Sequence, residues 1–301
     1  SSDVCSSDLK HLMVLATSLF MLCACDKGNG NTDDPNKGDK PQVEVAAPVD
    51  PKPNSTSFDR KIMLVDFTGT GCVNCPTMLQ PLKKVLAKSA YSKKTVLAMA
   101  HTYRNDDPAY FVSTLQTVMG VKYYPSLVAN LNKSSLMVAD DASELNIQSL
   151  IDNEGSSAAD AGVAANSKVD GNKLYVRVNV KAATPDAQEF RVAVWILEDG
   201  IYGKQAGDIP DESYNTHDNC VRAILGNTTG SNYFGVTTEP SRIAAGEIGD
   251  VTFSIDLKDD WIKDNLKYLV AVSSKGTGET YTVCNAGVAK IGESVAYNYS
   301  K

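Results

Sequence analysis

From Phe58 to Gly155 the apolar positions switch between two periods. "KIMLVDF" (61–67) is a continuous apolar run of strand length, whereas "CPTMLQPLKKVLAKSA" (75–90) spaces Met78, Leu82, Val85 and Leu86 along one face of a helix. "KTVLAMAHTY" predicts a second buried strand. "NDDPAYFVSTLQTVMG" predicts a helix with Asp107 as N-cap, Pro108 at the first helical position and Gly120 at its close. "YYPSLVANL" and "SSLMVAD" predict two short strands joined by a turn at Asn132. "DASELNIQSLIDNEG" predicts a last helix, opened by a capping box of Asp141 with Glu144 and stopped at Gly155. The order is βαβαββα, the pattern of a small sheet flanked by helices.

Beyond "SSAADAGVAANS", which reads as a joint of low hydrophobicity, the period changes to two. "KLYVRVNV" places Leu174, Val176, Val178 and Val180 on one face. "FRVAVWILE", "NCVRAIL", "DVTFSIDL", "YLVAVSS" and "ETYTVCNAGVAKI" follow, with turn signals at Asp170-Gly171, Asp199-Gly200 and Lys275-Gly276-Thr277-Gly278. "DDWIKDNL" predicts one helical turn between strands. Many short strands and hardly any helix predict a β-sandwich over residues 160–301. Residues 26–57 carry almost no large apolar side chains and read as a flexible tether.

At 301 residues, 43% hydrophobic and 22% charged, the chain has room for about two globular domains and a substantial core. Its net charge of -7 argues against a nucleic-acid-binding surface, which needs clustered Lys and Arg. After Lys10 and His11, "LMVLATSLFMLCAC" is an apolar run too short to span a bilayer comfortably, followed at once by polar residues, and reads as an export signal. Leu22-Cys23-Ala24-Cys25 resembles the lipobox of bacterial lipoproteins, in which a small residue precedes the cysteine that is diacylated. Ala24 meets that need before Cys25, so Cys25 is the expected lipidation site and multiple acyl chains the expected membrane anchor. "SSDVCSSDL" (1–9) reads as foreign to the natural gene. Residues 1–25 are thus taken as leader and signal, leaving Cys25, Cys72, Cys75, Cys220 and Cys284. Export permits disulfides, and two pairs plus one lipidated cysteine account for the set, with Cys220 and Cys284 paired across the sandwich.

Cys72 and Cys75 follow a buried strand and open a helix. A dithiol redox site needs this arrangement, because unpaired backbone N–H groups at a helix N-terminus stabilise a thiolate and the spacing brings a second thiol within reach. A metal reading lacks further ligands: His101 and His217 belong to no second CxxC or CxxH unit, and no metal or diffusible cofactor is expected. A merely structural disulfide remains open. Asp66 lies within the apolar run, where a carboxylate is costly without a partner or a task. His101 ends the second strand, where it can serve as a proton carrier or sit in a solvated loop. His217, Trp195 and Trp261 read as sandwich or core residues.

"LVDFTGTGCVNCP" resembles the thioredoxin superfamily over about residues 58–155. The resemblance implies Cys72 as attacking thiolate, Cys75 as resolving thiol and Asp66 as the buried carboxylate that moves the Cys75 proton. It also implies Pro125 as a cis-proline, with the Tyr124 backbone pairing with substrate. Gly71 stands where that family often has Trp. The lipoprotein signal, "FTGTGCVNCP", "LEDGI" and "HDNCVRA" together resemble the twenty-eight-kilodalton outer membrane protein family of Gram-negative bacteria. That likeness implies a thioredoxin-like α/β domain followed by an immunoglobulin-like sandwich, and a lipid-anchored envelope location, expected at the outer membrane. The expected activity is thiol–disulfide exchange with exported proteins, served by a redox-recycling partner. The alternative is an adhesion or scaffold lipoprotein whose CxxC is static.

Overall fold

Local pattern and long-range packing part company in this chain, as the computed structural model shows for residues 43–301 except 208, 210, 228, 230, 231 and 277–279. The expected leader, signal and lipidation site at Cys25 fall within residues 1–42, which lie outside the described residues. The run at 62–68 forms strand β1 (Ile62–Thr68), buried along its whole length. It is followed by helices α1 (Pro76–Leu86) and α2 (Ser89–Ser92), strand β2 (Thr95–His101), helix α3 (Leu115–Met119), strands β3 (Ser126–Ala129) and β4 (Met137–Val138), and helix α4 (Glu144–Glu154). β1 pairs in parallel with β2, Asp66 opposite Met99 and Thr68 opposite His101, and antiparallel with β3, Phe67 opposite Ser126. One face of β1 packs Ile62 and Leu64 against Met78, Leu82 and Val85 of α1 and Ile147 and Ile151 of α4. The N-cap of α4 is Ser143, whose hydroxyl accepts from the Asn146 amide, two residues beyond the expected Asp141.

The second half supplies β5 (Ala161–Asp170), β6 (Lys173–Ala182), β7 (Gln188–Glu198), β8 (Ile201–Tyr202), β9 (Thr216–His217), β10 (Cys220–Leu225), β11 (Val236–Ile243), β12 (Ile248–Asp256), β13 (Leu266–Lys275), β14 (Tyr281–Lys290) and β15 (Ser294–Val295). Among the described residues thirteen strands form one mixed sheet in the order β15-β5-β6-β12-β11-β7-β10-β2-β1-β3-β4, with β13 branching from β7 and β14 paired to β13. The expected thioredoxin-like domain followed by an immunoglobulin-like sandwich is therefore corrected: the halves share a sheet, and helices are few. β7 shows the physical reason. Its Val192, Val194 and Ile196 face β5 and β6, while Ala193, Trp195 and Leu197 meet Met63, Val65 and Phe67 of β1. A strand apolar on both faces is an inner layer rather than a sandwich wall.

That layer takes the place of the expected second helix. Only Leu115–Met119 is helical within 105–120: Asp107 caps a single turn through the Ala109 amide, while its other carboxylate oxygen is held by the Thr70 amide and His101. The supposed joint at 156–167 contains most of β5, which pairs with β6 along its full length through a turn at Gly171, φ +59°. Its small residues hid it: Gly162 leaves the room in which the Phe58 ring sits.

Part of the expected tether also packs on this sheet. Val45 is buried, Asn166 and Arg177 bond to the carbonyls of Ala46 and Val45, and Lys181, 1% exposed, holds Asp50 at 2.8 Å. The Lys181 ammonium also donates to the carbonyls of Pro53 (2.7 Å) and Lys52 (3.2 Å) and to the Tyr299 hydroxyl (3.2 Å). Removing one partner of a buried ion pair costs about 3–5 kcal/mol. Lys181→Ala is accordingly expected to lower stability in urea by about that amount and to expose 43–57 to limited proteolysis. An unchanged midpoint and digest would show the clasp to be unimportant.

Candidate functional site around the Cys72–Cys75 disulfide

β1 delivers the chain to a tight turn in which the Cys72 amide bonds to Gly69 O at 3.1 Å and the Cys75 amide to Cys72 O at 3.2 Å. Cys75 is the N-cap of α1 and Pro76, lacking an N–H, takes its first position. The two cysteines form a disulfide, with Cα atoms 5.3 Å apart. Asp66 shares the alternation of Ile62 and Leu64, so its carboxyl lies on the α1 side of the sheet, beneath the helix that Cys75 opens. It is fully buried, and neither carboxylate oxygen has a partner among the described residues. Desolvation raises its pKa from 3.8 to about 7. The Tyr124–Pro125 peptide is cis, and the β1–β3 register places Pro125 one step beyond the Phe67–Ser126 pair, at the end of β1 where the cysteine turn begins. The Tyr124 hydroxyl lies 2.9 Å from Thr102 Oγ1, and its ring meets Tyr103 edge-on at 5.3 Å. The side chain that lies against Gly71 is Arg104.

A buried polar row adjoins this turn. Asp107 accepts from the Thr70 amide at 2.6 Å, from the Ala109 amide at 2.8 Å, and lies 3.0 Å from His101 Nδ1. Burial pushes the Asp107 carboxyl upward, but the hydrogen bond and charge of His101 and the two backbone amides outweigh it, leaving a pKa of about 2. His101 is therefore no solvated loop residue; it is wholly buried, with its ring edge-on to His217 at 5.0 Å and Nε2 3.8 Å from Cys220 Sγ. Cys–His–Asp order suggests a nucleophile, yet the Cys220 thiol is fully buried and its pKa is driven up, first by desolvation.

Cys220 and Cys284 are free thiols, which corrects the expected second disulfide. Cys220 stands opposite Glu198 at one end of β7, while Cys284 bulges beside Ser273, whose partner Arg191 lies seven residues along β7. That offset is roughly 20 Å along the strand, far beyond the Cα separation a disulfide bridges. Alkylation of the unfolded, unreduced protein is expected to label Cys220 and Cys284 and to spare Cys72 and Cys75. A mass shift on all four, or on neither of the first two, would contradict this assignment.

Two groups at the site have no signal in the sequence. Gln205 and Gly207, from the segment between β8 and β9, lie over the cysteine turn, and Cys72 is left only 3% exposed. Asp107 carried a signal, but a local one, for a helix cap. Trp195 and Trp261 are both buried in cores. Among the described residues no grouping of three or more His, Cys, Asp or Glu suits a metal ion, and no helix is long and apolar enough to cross a membrane.

No family model and no curated protein matches the chain. Among solved structures, HBP35 of Porphyromonas gingivalis is similar with a TM-score of 0.62 at 16% identity, covering 78% of this chain and 76% of that one. This likeness is one of fold. Spo0M, a sporulation control protein from Bacillus subtilis, overlaps 47% of this chain and 50% of its own at 15% identity, with a TM-score of only 0.27.

Proposed function

We propose that this protein is a thiol–disulfide oxidoreductase of the Gram-negative cell envelope, anchored through Cys25 at the outer membrane and acting on exported proteins. The observation that carries the reading is the Cys72–Cys75 disulfide at the start of α1, on the side of the sheet where Asp66 lies buried with no hydrogen-bond partner among the described residues and with its pKa raised to about 7. In the reducing direction, reduced Cys72 attacks a substrate disulfide as thiolate. A Cys72–substrate sulfur bond forms and one substrate sulfur leaves as thiolate. Cys75 then attacks Cys72, the second substrate thiolate leaves, and the pair ends oxidised while the substrate gains two electrons. Asp66 accepts the Cys75 proton, for which a carboxylate titrating near neutrality is suited. A dithiol partner restores the pair. Membership of the twenty-eight-kilodalton outer membrane protein family belongs to the same proposal and rests on the motifs quoted above.

The test is capture of substrates on Cys72 in a Cys75→Ser variant, with Cys72→Ser as control. A second reading, a binding or adhesion scaffold with a static disulfide, is favoured by the near-complete burial of Cys72. Absence of any captured protein would select it.

A further inference from the structure

The segment over the disulfide is attached in an unusual way. Gly203 is rooted beside β8 and β9: its amide donates to Asn215 O at 2.8 Å, and its carbonyl lies 2.9 Å from His217 Nε2. From there the chain runs across the cysteine turn. The Ala206 amide donates to Thr70 O at 2.7 Å. Gln205 Nε2 stands amid four carbonyl oxygens: Cys72 at 3.1 Å, Ala206 at 3.2 Å, Thr70 at 3.3 Å and Gly69 at 3.4 Å. An amide has two N–H groups, so it serves four acceptors only by sharing. Gly207, at φ +106°, passes so close that a Cβ there would stand 2.6 Å from Val73 O and 3.1 Å from Pro76 Cγ.

Against this polar network stands a lack of apolar anchorage. No described residue between 198 and 219 belongs to any of the hydrophobic cores, and Lys204 and Gly207 are exposed. Segments held by hydrogen bonds rather than apolar burial are those that open locally without global unfolding. The bonds converge on the carbonyls of Gly69, Thr70 and Cys72, in the turn that presents the disulfide.

The geometry points to residues 203–207 acting as a releasable strap that shields the Cys72–Cys75 disulfide from thiol partners, with Gln205 as its latch. The inference rests on the oxidoreductase reading. Release uncovers Cys72, the less buried residue of the pair, for attack by a dithiol. The incoming thiolate bonds to Cys72, Cys75 leaves as thiolate and takes up a proton, and the second thiol of the reductant displaces Cys72 to complete the two-electron transfer. Gln205→Glu sets a carboxylate among the same four carbonyls and turns attraction into repulsion at almost constant size.

The experiment measures the rate of disulfide reduction by dithiothreitol in the full chain, wild type against Gln205→Glu and Gln205→Ala, with amide hydrogen exchange at Ala206 followed in parallel. Both variants are expected to be reduced at least about tenfold faster, on the scale of one lost latch hydrogen bond. The Ala206 amide is expected to exchange in wild type far sooner than the core strands. Equal reduction rates in folded variants, or an Ala206 amide that exchanges only with global unfolding, would overturn the strap. Should the variants not fold, the wild-type exchange decides. Faster reduction without any protein captured on Cys72 would leave the strap standing and remove the oxidoreductase reading; capture with equal rates would do the reverse.

Discussion

In the native envelope, Cys75→Ser is expected to accumulate discrete mixed disulfides on Cys72, and Cys72→Ser to accumulate none. The asymmetry follows from the turn. Cys72 retains 3% exposure whereas Cys75 is fully buried as the N-cap of α1, so an approaching sulfur meets Cys72 first. In the wild type Cys75 stands poised to displace the partner, as their closeness in the disulfide shows. Groups held together in this way reach effective molarities of about 10⁵ M or more, against millimolar thiols in solution. The ratio of the two is about 10⁸, so loss of Cys75 is expected to lengthen the life of the mixed disulfide by several powers of ten. Non-reducing separation followed by identification of the joined proteins measures it. Equal, minimal adducts in both variants would leave Cys72–Cys75 a static disulfide.

The second large effect concerns Asp66. Its folded pKa, near 7, exceeds the ordinary 3.8 because burial penalises the charge. A carboxyl raised in this way favours the folded state fully below about pH 4, and that contribution is lost as pH rises through about 7. A shift of this size corresponds to roughly 4 kcal/mol. Asp66→Asn cannot ionise, so its stability between pH 4 and 7 is expected to lose this downward slope, and above pH 7 the variant is expected to be the more stable protein. Urea unfolding of the oxidised protein across that range is the measurement. Asp107 titrates in a separate window: its lowered pKa, about 2, supports the fold above pH 4, and that support is lost as pH falls through 2. Parallel wild-type and Asp66→Asn profiles would mean that Asp66 is already ionised or solvated in the fold.

Much of the cysteine turn was legible in the chain because its determinants are neighbours. A buried strand, two cysteines and a proline at a helix start occupy residues 62–76, and alternation along one strand decides that Asp66 faces α1. The turn at Gly171 and the Gly120 end of α3 were legible for the same reason. The errors arose where a residue had two uses. Asp107 suits a helix cap by local pattern, but a buried His101 and the Thr70 amide compete for its carboxylate. Residues 192–197 of β7 and 268–272 of β13 are apolar at every position, and such a run does not say whether its second face meets helices, solvent or another part of the same sheet.

By itself, then, the sequence determined the strand-turn-helix that carries Cys72 and Cys75, the burial of Asp66, and a second half built of strands, since each depends on periods and caps spanning a few residues. Only the tertiary structure decided that the sheet runs through both halves, that Cys220 lies by His101 and far from Cys284, and that Gln205 covers a turn more than 130 residues before it. These contacts depend on strand register and on how the sheet curls. Register is set by the summed packing of many distant side chains, and a one-residue slip would reverse every face involved.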